Sequence, residues 1–423
     1  MKRVLSGIGA FALVFLIIEG MARIAYTVLL DLNTNKTPEW YLYSPDLGWE
    51  RKPGFSGIAY GAKREFDSEG LFSVDTADKF ERRKTKIICI GDSNTFGNEV
   101  STENTFVEQV ERLLPEVSAI NLGVPGYTSY QGYKLLLEHG LDLEPDILVV
   151  SFNLNDRRYV LHSDETDSDA KFRRLYEQKR MEKWNRPFHN VYLYRSVRFL
   201  MQALGIIQGL DETKDVRLDA LYPRVGPRAY RENLVGIAEL AKGRGIRTIF
   251  LLLKDNPIKT EHLRKGIDYF QKSDYDLTIS NLRIAVRNHH TLSTLARIYL
   301  AKALDKHGSV DEASKAWILT NPFVSIHGGH TIRLDEEYND IMKEVAEEYD
   351  LEVVDAGRVL DEDPSDYYDF CHFDANGHRK VAHLLSSRIV DMLSRSATST
   401  GGTSLRTTEE PKSAGWAKNL PLK

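Results

Sequence analysis

Lys86-Ile87-Ile88-Cys89-Ile90-Gly91 runs straight into Asp92-Ser93-Asn94-Thr95-Phe96-Gly97. A β-rich apolar run is cut off by glycine, and an aspartate and a serine follow where a strand gives way to a helix or turn. Four further runs of the same kind recur along the chain: VSAINL (117–122), DILVVSFN (146–153), IRTIFLLL (246–253) and LEVVDA (351–356). Helical periodicity fills the spaces between them, at about 103–115, 129–140, 228–244, 334–349 and 376–394. Near-continuous apolar strands alternating with helices predict a five-stranded, mostly parallel sheet covered on both faces, a doubly wound α/β core.

Two gaps interrupt this alternation, about 157–227 and 256–328, and both are too long for structureless loops, so each is read as a structured insertion. The expected organisation is therefore an N-terminal segment (1–35), an irregular, partly stranded lead-in (36–85) and a first part of the core (86–255) that holds the first insertion. A helical insertion (256–328), the rest of the core (329–394) and a disordered Ser/Thr/Gly-rich tail (395–423) complete it.

In the second insertion, Gly266, Tyr269, Asp274, Tyr275, Leu282 and Ala285 fall where a tetratricopeptide repeat places its glycine, aromatic, turn and packing residues. Leu300, Ala301, Leu304, Gly308, Ala313 and Trp317 form a weaker second copy. The pair resembles tetratricopeptide repeats, although small residues at helical spacing also suit any antiparallel helix pair. Two repeats are fewer than usually stand alone, so they are expected to lean on the core and to offer a surface for a protein partner. The first insertion holds KFRRLYEQKRMEKWNR (171–186), with seven basic and two acidic residues. Such a run is most often a solvated face, and anionic lipid or glycan is its alternative partner.

Composition removes several function classes. Fifty-six Lys and Arg against 61 Asp and Glu leave a charge of −5, so no basic field marks a nucleic-acid partner. Two distant cysteines, Cys89 and Cys371, match neither a disulfide framework nor a zinc module. No phosphate-binding loop, HExxH or dinucleotide fingerprint occurs, and no cofactor or metal is called for.

The N-terminus begins Met1-Lys2-Arg3 and continues as VLSGIGAFALVFLII (4–18); after Glu19 and Arg23, IAYTVLL resumes. The stretch from Val4 to Leu30 could span roughly 30 Å of hydrocarbon with Glu19 and Arg23 at the interface. Gly20-Met21-Ala22 offers a cleavage site, but apolarity continues past it, which favours an uncleaved anchor over a signal peptide; a buried helix is the third reading. Lys2 and Arg3 then predict a single-pass protein with its N-terminus inside and its bulk outside the cytoplasm.

The chemistry sits at the strand ends. Ser93 follows the first strand, where open α/β sheets place reactive groups. Asp369-Phe370-Cys371-His372 lies on a loop before the last helix and supplies a base and a carboxylate to orient it. Asn121-Leu122-Gly123 ends the second strand and Asn153-Leu154-Asn155-Asp156 the third. Gly123 offers an uncluttered N–H and Asn155 an amide to a developing oxyanion. Cys371, beside the proposed base, invites a thiol reading, but the serine already accounts for the constellation.

Ser, Gly, Asn and His in this order at successive strand ends resemble the four blocks of the SGNH (GDSL) hydrolase family, over about 86–156, 228–255 and 326–394. The resemblance implies Ser93 as nucleophile and oxyanion donor, with the Gly123 N–H and Asn155 Nδ2 as further donors. It implies His372 as base and then acid, oriented by Asp369. The third block carries Asn153 where the family pattern has glycine. Asp92, Tyr127, Asn153 and Asp156 are assigned to substrate binding, although the two aspartates suit the holding of loops better than chemistry and Tyr127 suits packing equally. The implied function is a serine esterase acting on O-acyl, chiefly O-acetyl, esters of envelope or exported polysaccharide through an acyl-serine intermediate. The alternatives are an O-acetyltransferase using the same intermediate, and a non-catalytic envelope scaffold that binds a partner through the repeat-like insertion.

Overall fold

A computed structural model describes residues 14–23, 40–73, 85–161, 221–288, 293–313, 336–360 and 364–399, with isolated positions between 169 and 197 and at 316. Trp317, the tail from 400, most of the N-terminal segment and most of the first insertion, with all of its basic run but Arg173, lie outside these residues. Residues 14–23 form a helix on which Phe15, Leu16, Ile17 and Met21 are exposed. Among the described residues no helix is long and apolar enough to cross a membrane.

Residues 40–73 contain four short strands: β1 (Tyr41–Ser44), β2 (Gly48–Arg51), β3 (Ser56–Ala59) and β4 (Ala62–Glu65). They pair as two antiparallel hairpins, β1–β2 and β3–β4. This stretch read as irregular because four-residue strands leave no room for alternation to show. The β3–β4 turn is Tyr60-Gly61, both at positive φ (47° and 76°), which matches a two-residue turn to the strand twist.

The core sheet contains β5 (Thr85–Gly91), β6 (Val117–Asn121), β7 (Ile147–Ser151), β10 (Arg247–Leu252) and β11 (Glu352–Asp355). Between β7 and β10 in the chain, β8 (Tyr159–Leu161) and β9 (Leu221–Pro223) pair separately. All core pairings are parallel, in the order β11-β10-β7-β5-β6. Helices α1 (Ser93–Phe96), α2 (Phe106–Leu113), α3 (Ser129–Glu138) and α4 (Pro227–Gly243) follow their strands. The insertion supplies α5 (Pro257–Gln271), α6 (Tyr275–Asn288) and α7 (Ser293–Lys306), and α8 (Glu336–Tyr349) and α9 (Ala375–Ser399) complete the core.

Alternation along β5 divides the burial. Ile88 and Ile90 face a cluster with Leu136 of α3, Leu234 and Ile237 of α4, and Met342 of α8. Ile87 and Cys89 face a second cluster with Phe106 and Val110 of α2 and Val381 and Leu385 of α9. Both faces are dry, which is why the strands read as unbroken apolar runs. Because β6 and β7 lie on opposite sides of β5, the strand order reverses at β5, and the loops after all three strands leave the same edge of the sheet.

Helices α5, α6 and α7 share a third cluster containing Leu263, Ile267, Leu282, Leu300 and Leu304, and that cluster also includes Leu154, Phe370 and Cys371 of the core. A Cβ on Gly266 would lie 2.5 Å from the Leu282 side chain, so α5 and α6 approach closely there. The insertion thus packs on the loop that bears His372.

Candidate active site

Ser93 is the first residue of α1, directly behind β5. Asp92 caps that helix, its Oδ1 accepting from the Asn94 N–H at 3.0 Å. Ser93 Oγ lies 2.9 Å from His372 Nε2, and His372 Nδ1 lies 2.8 Å from Asp369 Oδ2. Residues 279 positions apart therefore meet in one hydrogen-bonded line. The His372 side chain keeps 19% of its surface exposed.

The loop from Tyr367 to Phe373 is fastened from several directions. Asp369 Oδ1 accepts from the backbone N–H groups of Cys371 (2.9 Å) and His372 (2.8 Å). Tyr368 N–H donates to the His372 carbonyl at 2.8 Å, and Asn256 N–H donates to the Phe370 carbonyl at 2.7 Å. Asn94 bridges the two reactive loops: its Nδ2 donates to the Cys371 carbonyl at 3.1 Å and its Oδ1 accepts from Phe373 N–H at 3.2 Å.

Electrostatics follow from this geometry. Burial disfavours a charged imidazole at His372, but the hydrogen bond and charge of Asp369 outweigh it, with Asp92 and Glu99 adding to them, so the pKa rises above the ordinary 6.5. Burial pulls Asp369 up, yet its bonds to His372 and to two amides hold it well below the usual carboxylate range. An acceptor carboxylate behind the ring fixes the tautomer in which Nε2 carries the lone pair toward Ser93.

The expected oxyanion donors converge in part. Asn155 Nδ2 lies against Asp92 Oδ2 at 3.2 Å, which brings the third strand end beside the first. Gly123 sits under α1, where an added Cβ would fall 2.4 Å from Phe96 N, so only glycine allows this approach. Its N–H is not uncluttered as the sequence implied: it donates to Asn121 Oδ1 at 2.9 Å, while Asn121 Nδ2 donates to the Thr95 carbonyl at 2.7 Å. Asn121 thereby ties the loop after β6 to α1.

The four residues assigned to substrate binding have almost no accessible surface: Asp92, Tyr127 and Asp156 are at 0% and Asn153 at 1%. That assignment is corrected, because each is committed to internal bonds. Tyr127 Oη donates to the Trp49 carbonyl at 2.6 Å. Asp156 Oδ1 accepts from Ser129 N–H (2.8 Å) and Oγ (2.6 Å) at the start of α3. Asn153, in place of the pattern's glycine, donates to Asn339 Oδ1 on α8 at 2.7 Å and accepts from Arg157 Nε at 2.5 Å. Burial pushes Asp92 up to about 6 and Asp156 up to about 7.

Cys371 is buried, and burial pushes its thiol well above its ordinary value, which opposes a thiolate nucleophile. Among the described residues, Asp369, Cys371 and His372 present ligand atoms within 4.8 Å of one another, close enough for a metal ion. A cation there would displace the Asp369–His372 hydrogen bond and require the Cys371 proton to leave.

Sequence reasoning passed over Asn94, Asn121, Asn256 and the buried Arg157–Asp255 ion pair at 2.5 Å. The available signal was a small polar residue at each strand end, which equally suits a turn.

The parallel α/β sheet carries a hydrogen-bonded Ser93–His372–Asp369 line across its strand ends. Residues 89–380, more than half of the chain, match the GDSL-like lipase/acylhydrolase family, and the chain belongs to that family of esterase- and lipase-type hydrolases. It is similar to the lipase/acylhydrolase from Enterococcus faecalis, at 15% identity and a TM-score of 0.36 over 73% of this chain and 96% of that one. A lipolytic G-D-S-L family protein from Desulfitobacterium hafniense is similar at 12% identity and 0.35, over 72% and 99%. An acetyl xylan esterase is similar at 11% identity and 0.35, again over 72% and 99%. No curated protein is significantly similar to the chain.

Proposed function

We propose that the protein is a serine esterase that removes O-acyl groups, chiefly O-acetyl, from a carbohydrate of the cell envelope or an exported polysaccharide. The observation that carries the reaction class is the line Ser93 Oγ–His372 Nε2–Asp369, at 2.9 and 2.8 Å. His372 takes the Ser93 proton as Oγ bonds to the acyl carbon. The tetrahedral oxyanion is met by the Ser93 N–H and Asn155 Nδ2, and by Gly123 N–H if it turns from Asn121. His372 then gives the proton to the departing alcohol as its C–O bond breaks. Water, deprotonated by His372, attacks the acyl carbon; the C–Oγ bond to Ser93 breaks, His372 returns the proton to Ser93 Oγ, and the acid leaves. A glycan hydroxyl in place of that water would make the same site an O-acetyltransferase.

Placement on the outer side of a bacterial cytoplasmic membrane rests on the apolar run behind Lys2 and Arg3, and a protein partner at α5–α7 on the repeat-like spacing there. The test is p-nitrophenyl acetate turnover by the full chain against Ser93→Ala of matched fold, followed by acetylated and plain glycans. Turnover lost in the variant supports an acyl-serine; equal, negligible rates in both, with no fluorophosphonate labelling, reject the esterase.

A further inference from the structure

The hairpins of residues 40–73 precede the family match, which begins at 89, yet they hold the two loops on which the site depends. Arg64 is fully buried, and its guanidinium donates to the carbonyls of Gly97 and Val100 (2.7 Å) and to Thr102 Oγ1 (3.1 Å). Gly97 N–H in turn closes α1 on the Ser93 carbonyl at 3.0 Å. Arg64 therefore places a cation on the carbonyl end of the short helix that begins with Ser93. Phe96 of that helix sits among the rings of Trp40, Tyr60, Phe66 and Phe72, with centroids 5.3–6.3 Å away.

The loop after β6 is gripped in the same way. Arg51 donates to the Asn121 carbonyl at 3.0 Å, and Trp49 Nε1 donates to the Pro125 carbonyl at 3.0 Å. Asn121 is the residue whose side chain accepts from Gly123 N–H and reaches Thr95. The direction of the Gly123 amide thus depends on where Arg51 holds Asn121.

We propose that residues 40–73 are a clamp that sets the active-site geometry, with Arg51 and Arg64 as positioning residues for the Gly123 loop and the Ser93 helix. This rests on the esterase reading above. Bonds to main-chain carbonyls on both sides of the reacting serine are what such a role needs, because small displacements of oxyanion donors cost rate more than binding.

The test compares full chains carrying Arg51→Met, Arg51→Lys and, on the opposite face of the sheet, Leu385→Ala. In Arg51→Met, kcat for p-nitrophenyl acetate falls about 10- to 100-fold with KM within about twofold, as expected when an interaction made in the transition state is misaligned. Arg51→Lys keeps a cationic donor and recovers most of the rate, whereas Leu385→Ala lowers the melting temperature and leaves kcat of the folded enzyme unchanged. Amide hydrogen exchange over 93–100 and 121–127 quickens in Arg51→Met while the rest of the sheet stays protected. Unchanged kcat in a folded Arg51→Met enzyme overturns the clamp. A wild-type chain that neither turns over ester nor labels with fluorophosphonate defeats the esterase reading instead. Local exchange then decides the clamp by itself: faster exchange upholds it and unchanged exchange overturns it.

Discussion

Asn94 donates from its side chain to the Cys371 carbonyl at 3.1 Å and so staples the loop behind the first core strand to the loop that bears His372. With the return bond from Phe373 N–H to its Oδ1, one buried carboxamide satisfies polar groups 277 and 279 positions away. The distance between Ser93 and His372 is therefore held in part by an amide that hydrogen-bonds to neither side chain.

Replacing Asn94 with Ala should cost about 2 to 4 kcal/mol, since a buried carbonyl and a buried N–H lose their partners. Ester turnover should fall about tenfold or more through misplacement of His372. Urea unfolding and kcat on the folded fraction check both. A folded Asn94→Ala enzyme of full activity would mean that the other loop bonds suffice.

Asp369→Asn should reduce kcat roughly ten-thousand-fold with the fold intact, because the amide no longer enforces the tautomer that leaves Nε2 free to accept. His372→Ala should lose a similar factor. Circular dichroism at matched concentration separates these losses from unfolding, and near-normal turnover by a folded His372→Ala chain would refute the assigned base.

The pH profile should report the same pair. His372 must be neutral to accept the Ser93 proton, and its pKa is raised, so kcat/KM should climb with pH through a midpoint above 6.5. In Asp369→Asn the hydrogen bond and charge that raise it most are gone, while burial, Asp92 and Glu99 remain, so the midpoint of the residual activity should move down. A midpoint that does not move would uncouple the two residues.

Asp156 tests burial rather than chemistry. A carboxyl near 3.9 when unfolded and about 7 when folded binds its proton more tightly in the native state. Its contribution to stability is full below about 4 and is lost as pH rises toward about 7. Asp156→Asn keeps an acceptor for Ser129 and carries no titrating group, so this slope should flatten. Denaturant unfolding of both chains at pH 5 and pH 8 decides; a variant that loses as much stability between the two pH values as wild type sinks the argument.

Gly123→Ala should destabilise by about 1 to 3 kcal/mol through overpacking against the backbone of α1. The added methyl would meet Phe96 N and Thr95 C at 2.4 and 2.7 Å, so α1 and Ser93 should move with it and turnover should drop. Thermal unfolding and kcat check this pair of effects.

Local pattern was enough for the sheet, its flanking helices and the choice of three residues that the structure brings together. Apolar runs such as Ile87 to Ile90 alternate with amphipathic helices because both faces must be buried, and that demand is written in each segment independently. Ser93, Asp369 and His372 were legible because a reactive residue at a strand end and a carboxylate three positions before a histidine are short-range features. What tertiary structure decided was long-range: that Asn94 and Asn121 are ties, that Gly123 N–H already has an acceptor, and that Tyr127, Asn153 and Asp156 are buried supports. It also turned an apparently irregular lead-in into two hairpins whose arginines grip α1 and the loop after β6. None of those roles has a periodicity. A hydrogen bond between residues such as Arg51 and Asn121, 70 positions apart, depends on where the packed layers bring the chain together, and neighbouring residues carry no trace of it.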